Sequence, residues 1–238
     1  MLAGCRPTSS GTRRAARDMG RARLPAAMID PVQAAKERRH LDRLETLIDS
    51  IYALVIVFLV AQFPNPLAFD EKFSSFWHFL SSEGGELAAP LIGVILMVIY
   101  WLQNNLLFGY LERTDNKHAT IAISQLFFVL FYLYTSDLLD AFPDTKTILA
   151  LQSATFAFIG ILAIWGWSYA TKDRRLLGDE LNNEEIERIH SKILPEPVTA
   201  LITLPFSFVG TLAWNLSWLL MPLVSLALVR RRTKSAAE

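Results

Sequence analysis

The sequence predicts an all-α integral membrane protein with six transmembrane helices and both termini cytoplasmic. Three observations carry this. Hydrophobic residues make up 52% of the 238 and charged residues only 19%, where a soluble domain carries nearer a quarter. Long uncharged stretches recur, among them Leu87–Phe108 and the 33 residues Pro197–Val229. The basic residues are segregated: of 23 Lys and Arg, 21 lie in segments 1–43, 109–118, 171–196 and 230–238. Those segments fall on one side of the bilayer if the chain crosses twice between each pair, as the positive-inside tendency favours. The acidic loops 64–86 and 137–144 then lie outside.

Residues 1–35 read as a basic, disordered tail. Residues 1–30 contain six Arg and one acid before Asp30, a composition shared with organelle-targeting peptides. They lack the apolar core of a secretory signal. Met19 and Met28 are alternative starts. The membrane domain is expected over 36–232 and a short C-terminal tail over 233–238.

The first span covers 46–63 and is closed by Pro64-Asn65-Pro66. Residues 70–80 place Phe73, Phe76, Trp77 and Leu80 at helical spacing, which predicts a short aromatic helix in the headgroup region or capping the bundle. The second span is 87–108, leaving the membrane through Tyr100-Trp101-Leu102-Gln103-Asn104-Asn105. The third, 119–136, is dense in Phe and Tyr; the fourth, 148–170, ends with Trp165, Trp167 and Tyr169. In the polar segment 171–196, Asn183 is the expected cap of a helix with acids in its first turn. Leu181, Ile186, Ile189 and Ile193 line one side of it, suited to the membrane surface or the bundle.

As one helix, Pro197–Val229 would be about 50 Å long against a hydrocarbon core of about 30 Å. Two spans, 197–212 and 213–229, return Arg230-Arg231-Arg232-Thr233-Lys234 to the basic side, so six is the expected number. No phosphate-cradling Gly-rich loop, metal-spaced His pair or nucleophile elbow is present in the sequence. The single cysteine, Cys5, permits no intrachain disulfide or multi-Cys metal site. The expectation is a non-enzyme with no cofactor and no metal. Its partners are the lipid bilayer and not nucleic acid, because the basic residues flank apolar runs instead of forming a separate patch.

The first span carries the most information. At about 100° per residue, Arg43, Leu47, Ser50, Leu54, Val57 and Ala61 lie along one side in alternating steps of four and three. Asp42, Glu45 and Asp49 fall on another. A four-three seam suits a helix that packs on copies of itself or on a neighbour. Intramembrane acids such as Asp49 are costly unless paired or hydrogen-bonded.

Arg43 to Ala61 resembles the first helix of the transmembrane-protein-175 family, lysosomal potassium channels and their bacterial relatives. The family signature R-x-x-x-F-S-D reads here Arg43-x-x-x-Leu47-Ile48-Asp49. A second, weaker match lies at Tyr100-Trp101-Leu102 with Leu106-Leu107-Phe108. The resemblance covers about 40–230, and its specific part is the first helix. It implies a homotetramer with four first helices around a pore, constricted by branched aliphatic side chains. The constriction maps onto Leu54, with Val57 and Ala61 as the next layers, the positions the seam also selects. Arg43 and Asp49 would then be a polar helix-packing motif, although projection places Arg43 on the seam.

The chain departs from the family at several places. Leu47 and Ile48 replace an aromatic and a hydroxyl. Val57 stands where some members have threonine, and Asn104 and Asn105 stand where many bacterial members have His.

Three functions follow as candidates. The first is a homotetrameric channel for potassium or other monovalent cations in the cell (inner) membrane, multi-pass. The others are a non-conducting scaffold or accessory protein of the same fold, and a small transporter using Asp49.

Overall fold

The computed structural model describes residues 31–65, 75–143, 145–178 and 181–235. The tail 1–30, part of the aromatic segment at 70–74 and residues 236–238 lie outside them. Eight α-helices follow in order: α1 Pro31–Ala61, α2 Phe76–Phe108, α3 Asn116–Ala141, α4 Lys146–Thr171, α5 Asn183–Ile193, α6 Pro195–Phe206, α7 Thr211–Ser217 and α8 Met221–Ser235. Short 3-10 turns at Lys172–Arg174 and Trp218–Leu220 complete the order. Among the described residues, five helical segments are long and apolar enough to cross a membrane by length and composition: Ala35–Ala61, Pro90–Phe108, Asn116–Ala141, Lys146–Arg174 and Thr211–Leu228.

The structure redraws four of the expected elements. The first span belongs to a much longer helix: α1 has 31 residues, about 46 Å at 1.5 Å per residue, so it overhangs the hydrocarbon at one end. The separate aromatic helix does not stand alone. From Phe76 onward it is the first turn of the 33-residue α2, whose cap Ser75 accepts the His78 amide at 3.2 Å. Phe76 and Trp77 are exposed there, as rings at a bilayer interface would be.

Third, the cap of α5 is Asn182, not Asn183. Its Oδ1 accepts the Glu185 amide at 2.8 Å, and Glu185 Oε2 accepts the Asn182 amide at 3.1 Å, a reciprocal pair that satisfies two orphan donors. Asn183 lies one residue too late to reach back. Leu181, Ile189 and Ile193 are buried, so α5 rests on the bundle. Fourth, the run after Pro195 divides at 207–210, so that Gly210 marks the near edge of the break expected between Gly210 and Asn215. α6 has 12 residues, about 18 Å, less than the hydrocarbon thickness. The break before α7 falls at Gly210, whose φ of 151° is a region that glycine enters without penalty.

The helix α4 is the centre of the bundle. It packs along α3 and α6 and also meets α5 and α7. α6 approaches so closely that a Cβ added at Gly160 would lie 2.7 Å from Pro197 Cδ, the small-residue contact typical of membrane helices. Phe156 organises an aromatic core. It stacks with Tyr100 at 6.0 Å, tilts on Tyr132 at 4.7 Å and meets Trp218 edge-on at 5.0 Å between ring centres. Buried hydroxyls form a directed chain beside it: Trp214 Nε1 donates to Ser153 Oγ at 2.7 Å, which pairs with Thr203 Oγ1 at 2.9 Å.

The loops at the ends of α3 and α4 are tied together. Asp115 caps α3 by accepting the His118 amide at 2.8 Å and also accepts the Tyr169 hydroxyl at 2.6 Å. Burial alone would raise the Asp115 carboxyl, but these hydrogen bonds and that from the Lys117 amide hold it below its ordinary range.

Candidate functional site

The helix α1 has two unlike faces. Leu41, Leu44, Ile48, Tyr52, Val55 and Leu59 are buried against α2 and α3, the helices it packs on. These positions advance by three or four residues, one stripe of a 3.6-residue helix. Leu47, Ser50, Leu54, Val57 and Ala61 are exposed within the single chain, Leu54 to 48% and Val57 to 64%. Phe58 and Val60 flank them and are exposed as well. The uncovered side of α1 is thus a continuous apolar strip, larger in kind than the scattered apolar residues of an ordinary surface.

Hydrogen bonds hold α1 at both ends of that strip. Near its base Asp49 Oδ1 accepts the Trp101 indole N–H at 2.9 Å. With the Asn105 amide turned so that its nitrogen faces Asp49, that group donates to the same carboxylate at 3.2 Å. One turn further, Asn104 Nδ2 donates to Tyr52 Oη at 2.8 Å and to the Tyr100 carbonyl at 3.2 Å. At the far end Gln62 Nε2 donates to Asp137 Oδ1 at 2.9 Å, fastening α1 to the end of α3. The hydroxyls on the exposed side turn inward: Thr46 donates to the Asp42 carbonyl at 2.8 Å and Ser50 to the Thr46 carbonyl at 2.7 Å. What the strip presents outward is chiefly aliphatic.

Of the residues singled out from sequence, Leu54, Val57 and Ala61 share the exposed side. Asp49 projects away from them, toward α2, where Trp101 and Asn105 hold it. Arg43 is exposed, and the groups that hold Asp49 are Trp101 and Asn105, not Arg43. Neither partner of Asp49 was identified from sequence, although both stand in the Tyr100–Asn105 run noted there. A cavity of about 190 Å³ opens beside this cluster, lined by Glu45, Ile48, Asp49, Asn104, Asn105, Phe108 and Gly109. Among the described residues no group of three or more His, Cys, Asp or Glu is arranged to hold a metal ion. A larger cavity of about 470 Å³ lies near the opposite end of α1, with Gln62, Pro64, Tyr132, Gln152 and Trp214 in its walls.

An isolated aliphatic strip catalyses nothing and binds no ion. A ring of such strips forms an apolar constriction that passes ions when wide enough for partial hydration and closes by dewetting.

Comparison with known proteins bears on the same stretch. A family model described as endosomal/lysosomal potassium channel TMEM175 matches residues 43–132. The endosomal/lysosomal proton channel TMEM175 of Danio rerio is 24% identical over 144 residues, 58% of this chain and 27% of that protein. This chain therefore spans about a quarter of the length of that relative. A potassium channel of Chamaesiphon minutus is 22% identical over 179 residues, 74% of this chain and 88% of that protein. Among solved structures, a lysosomal potassium-selective channel TMEM175 homolog from Chamaesiphon minutus superposes with a TM-score of 0.60 at 20% identity. It covers 81% of this chain and 98% of its own. A variant of the potassium channel MtTMEM175, bound to a nanobody–MBP fusion, gives 0.55 at 19% identity, covering 81% and 93%. Residues 43–132 are thus similar to the TMEM175 family model, and over 81% of its length the chain shares the fold of the Chamaesiphon minutus TMEM175 homolog.

Proposed function

We propose that this protein is a potassium-permeable cation channel of four identical subunits, lined by α1 and constricted at Leu54, with Val57 and Ala61 as the next layers. The observation that carries this reading is the division of α1. One stripe is buried and the helix is hydrogen-bonded at both ends, yet its aliphatic side stays exposed among the described residues. Potassium as the permeant ion rests on relatives named as potassium channels. Arg43 and Asp49 serve packing in this reading, Asp49 through Trp101. The chain sits in the cell (inner) membrane with both termini cytoplasmic, and the short α6 followed by the α7–α8 run forms a hairpin that completes six crossings.

The experiment is ion flux from proteoliposomes, wild type against Leu54→Ala and Leu54→Asn. Leu54→Ala widens the ring and Leu54→Asn wets it, so both raise flux several-fold over wild type. No flux from wild type or either variant would end the channel reading and leave a non-conducting scaffold of the same fold. Crosslinking that stops at a dimer, or a monomer with flux tied to Asp49, would favour the transporter, for which the cavity at Glu45 and Asp49 is the supporting feature.

A further inference from the structure

At the start of α6 the structure buries an acid that the proposed channel does not use. Glu196 is 2% exposed, and both of its carboxylate oxygens lack a hydrogen-bond partner. The polar side chain facing it is Gln103 of α2, whose Nε2 donates to the Lys192 carbonyl at 3.5 Å. The Oε1 of Gln103 is itself buried with no partner. Three buried acceptor oxygens thus stand in one place, and the one donor that faces the carboxylate, the Gln103 amide, is directed at 3.5 Å to the Lys192 carbonyl. Such groups are rare in folded proteins, because each forfeits its hydration without replacement.

Among the described side chains that face Glu196 none carries a positive charge. Facing Glu196 are Tyr52 from α1 and Tyr100 from α2. The Tyr52 oxygen accepts from Asn104, and the Tyr100 hydroxyl donates to the Phe156 carbonyl at 3.2 Å. From α5 comes the Lys192 carbonyl, through Gln103. On α4 the neighbour of the adjacent Pro197 is Gly160, mid-helix, while the ionisable residues of α4, Lys146 and Tyr169, stand near its ends. α8, which packs on α6, carries its cations, Arg230, Arg231, Arg232 and Lys234, in its C-terminal six residues. Among the described side chains none completes a hydrogen bond to the carboxylate. An ionised carboxylate left so is strongly disfavoured, because its lost hydration is not replaced, whereas a proton needs no added volume.

We propose that Glu196 is a proton-binding site: its carboxyl is carried as the neutral acid, with the O–H donated to Gln103 Oε1. One proton taken from water forms one O–H bond, removes the buried charge and converts two mutually unpaired acceptors into a donor and its acceptor. The site joins the α5–α6 elbow to α2 and to the buried stripe of α1. Losing the proton places an unpaired charge beside Tyr52 and loosens that joint. The inference does not depend on the channel reading.

The test uses the full chain in detergent. The infrared difference between wild type and Glu196→Gln at neutral pH shows loss of a carboxylic-acid C=O band; loss of carboxylate bands instead overturns the proposal. Thermal unfolding supplies a second readout. A folded state that keeps a proton the unfolded chain releases loses stability as pH rises. Between about pH 5 and about pH 9, wild type therefore falls in Tm more steeply than Glu196→Gln. The two coincide at the acid end, and the variant is the more stable at the alkaline end. A variant less stable at every pH overturns the proposal. Should Glu196→Gln not fold, Gln103→Leu removes only the acceptor and moves the acid C=O band to higher frequency; an unmoved band overturns the pairing.

Discussion

The helices α1 and α4 are both long apolar segments able to span a bilayer, yet they have opposite surroundings. In the apolar stretch of α1, 28% of residues are buried, against 56% in α4. Small residues and shared hydroxyls let α4 accept neighbours on several sides: Gly160 admits Pro197, and Ser153 bonds Thr203 and Trp214. α1 has one complementary stripe and one that stays exposed among the described residues. The lesson is that apolar composition places a helix in the membrane, while the distribution of small and polar groups around it decides how many neighbours it takes.

The sharpest break of this comparison is at Phe156, the ring around which Tyr100, Tyr132 and Trp218 gather. Phe156→Ala should cost about 3–5 kcal/mol, read as a large fall in thermal unfolding temperature in detergent. Gly160→Ala forces a methyl group into Pro197 and should cost about 1–3 kcal/mol, separating α6 from α4. Trp101→Phe removes one donor from Asp49 while Asn105 remains, a loss of about 1–2 kcal/mol without loss of the fold. The smallest effect belongs to the bare side of α1. In subunits held monomeric by detergent, Leu54→Ala should change stability by no more than about 0.5 kcal/mol. A cost at Leu54 matching that at Phe156 in the monomer would show that the strip is covered within the subunit, and the contrast would fail.

Several parts of this architecture were legible in the sequence because they follow from short-range rules. The four long apolar runs expected at 46–63, 87–108, 119–136 and 148–170 lie within helices α1 to α4 apart from the last two residues of the first, since hydrophobic length and loop charge act locally along the chain. The stripe of Leu47, Leu54 and Val57 is separable from that of Tyr52 and Val55 because a helix repeats every 3.6 residues. Other features depended on contacts between distant segments. Asp49 and Trp101 are 52 positions apart, and helical projection says which way an acid points, not what waits there. The cap of α5 moved by one residue because Asn182 and Asn183 are alike in type, and only the reach to Glu185 separates them.

Glu196 marks the limit most clearly. In the sequence it is the last charge of a polar segment, next to the 33 uncharged residues that follow, and reads as a surface residue. In the folded chain the turn at Leu194 swings the start of α6 inward, and the same carboxylate is enclosed by Tyr52, Tyr100 and Gln103. What the sequence by itself determined was the set of apolar helices and the two-faced character of the first. Which face met a neighbour, what held Asp49 and which acid was enclosed were decided by the tertiary structure, because burial depends on what other helices bring to the same place and no local pattern encodes that.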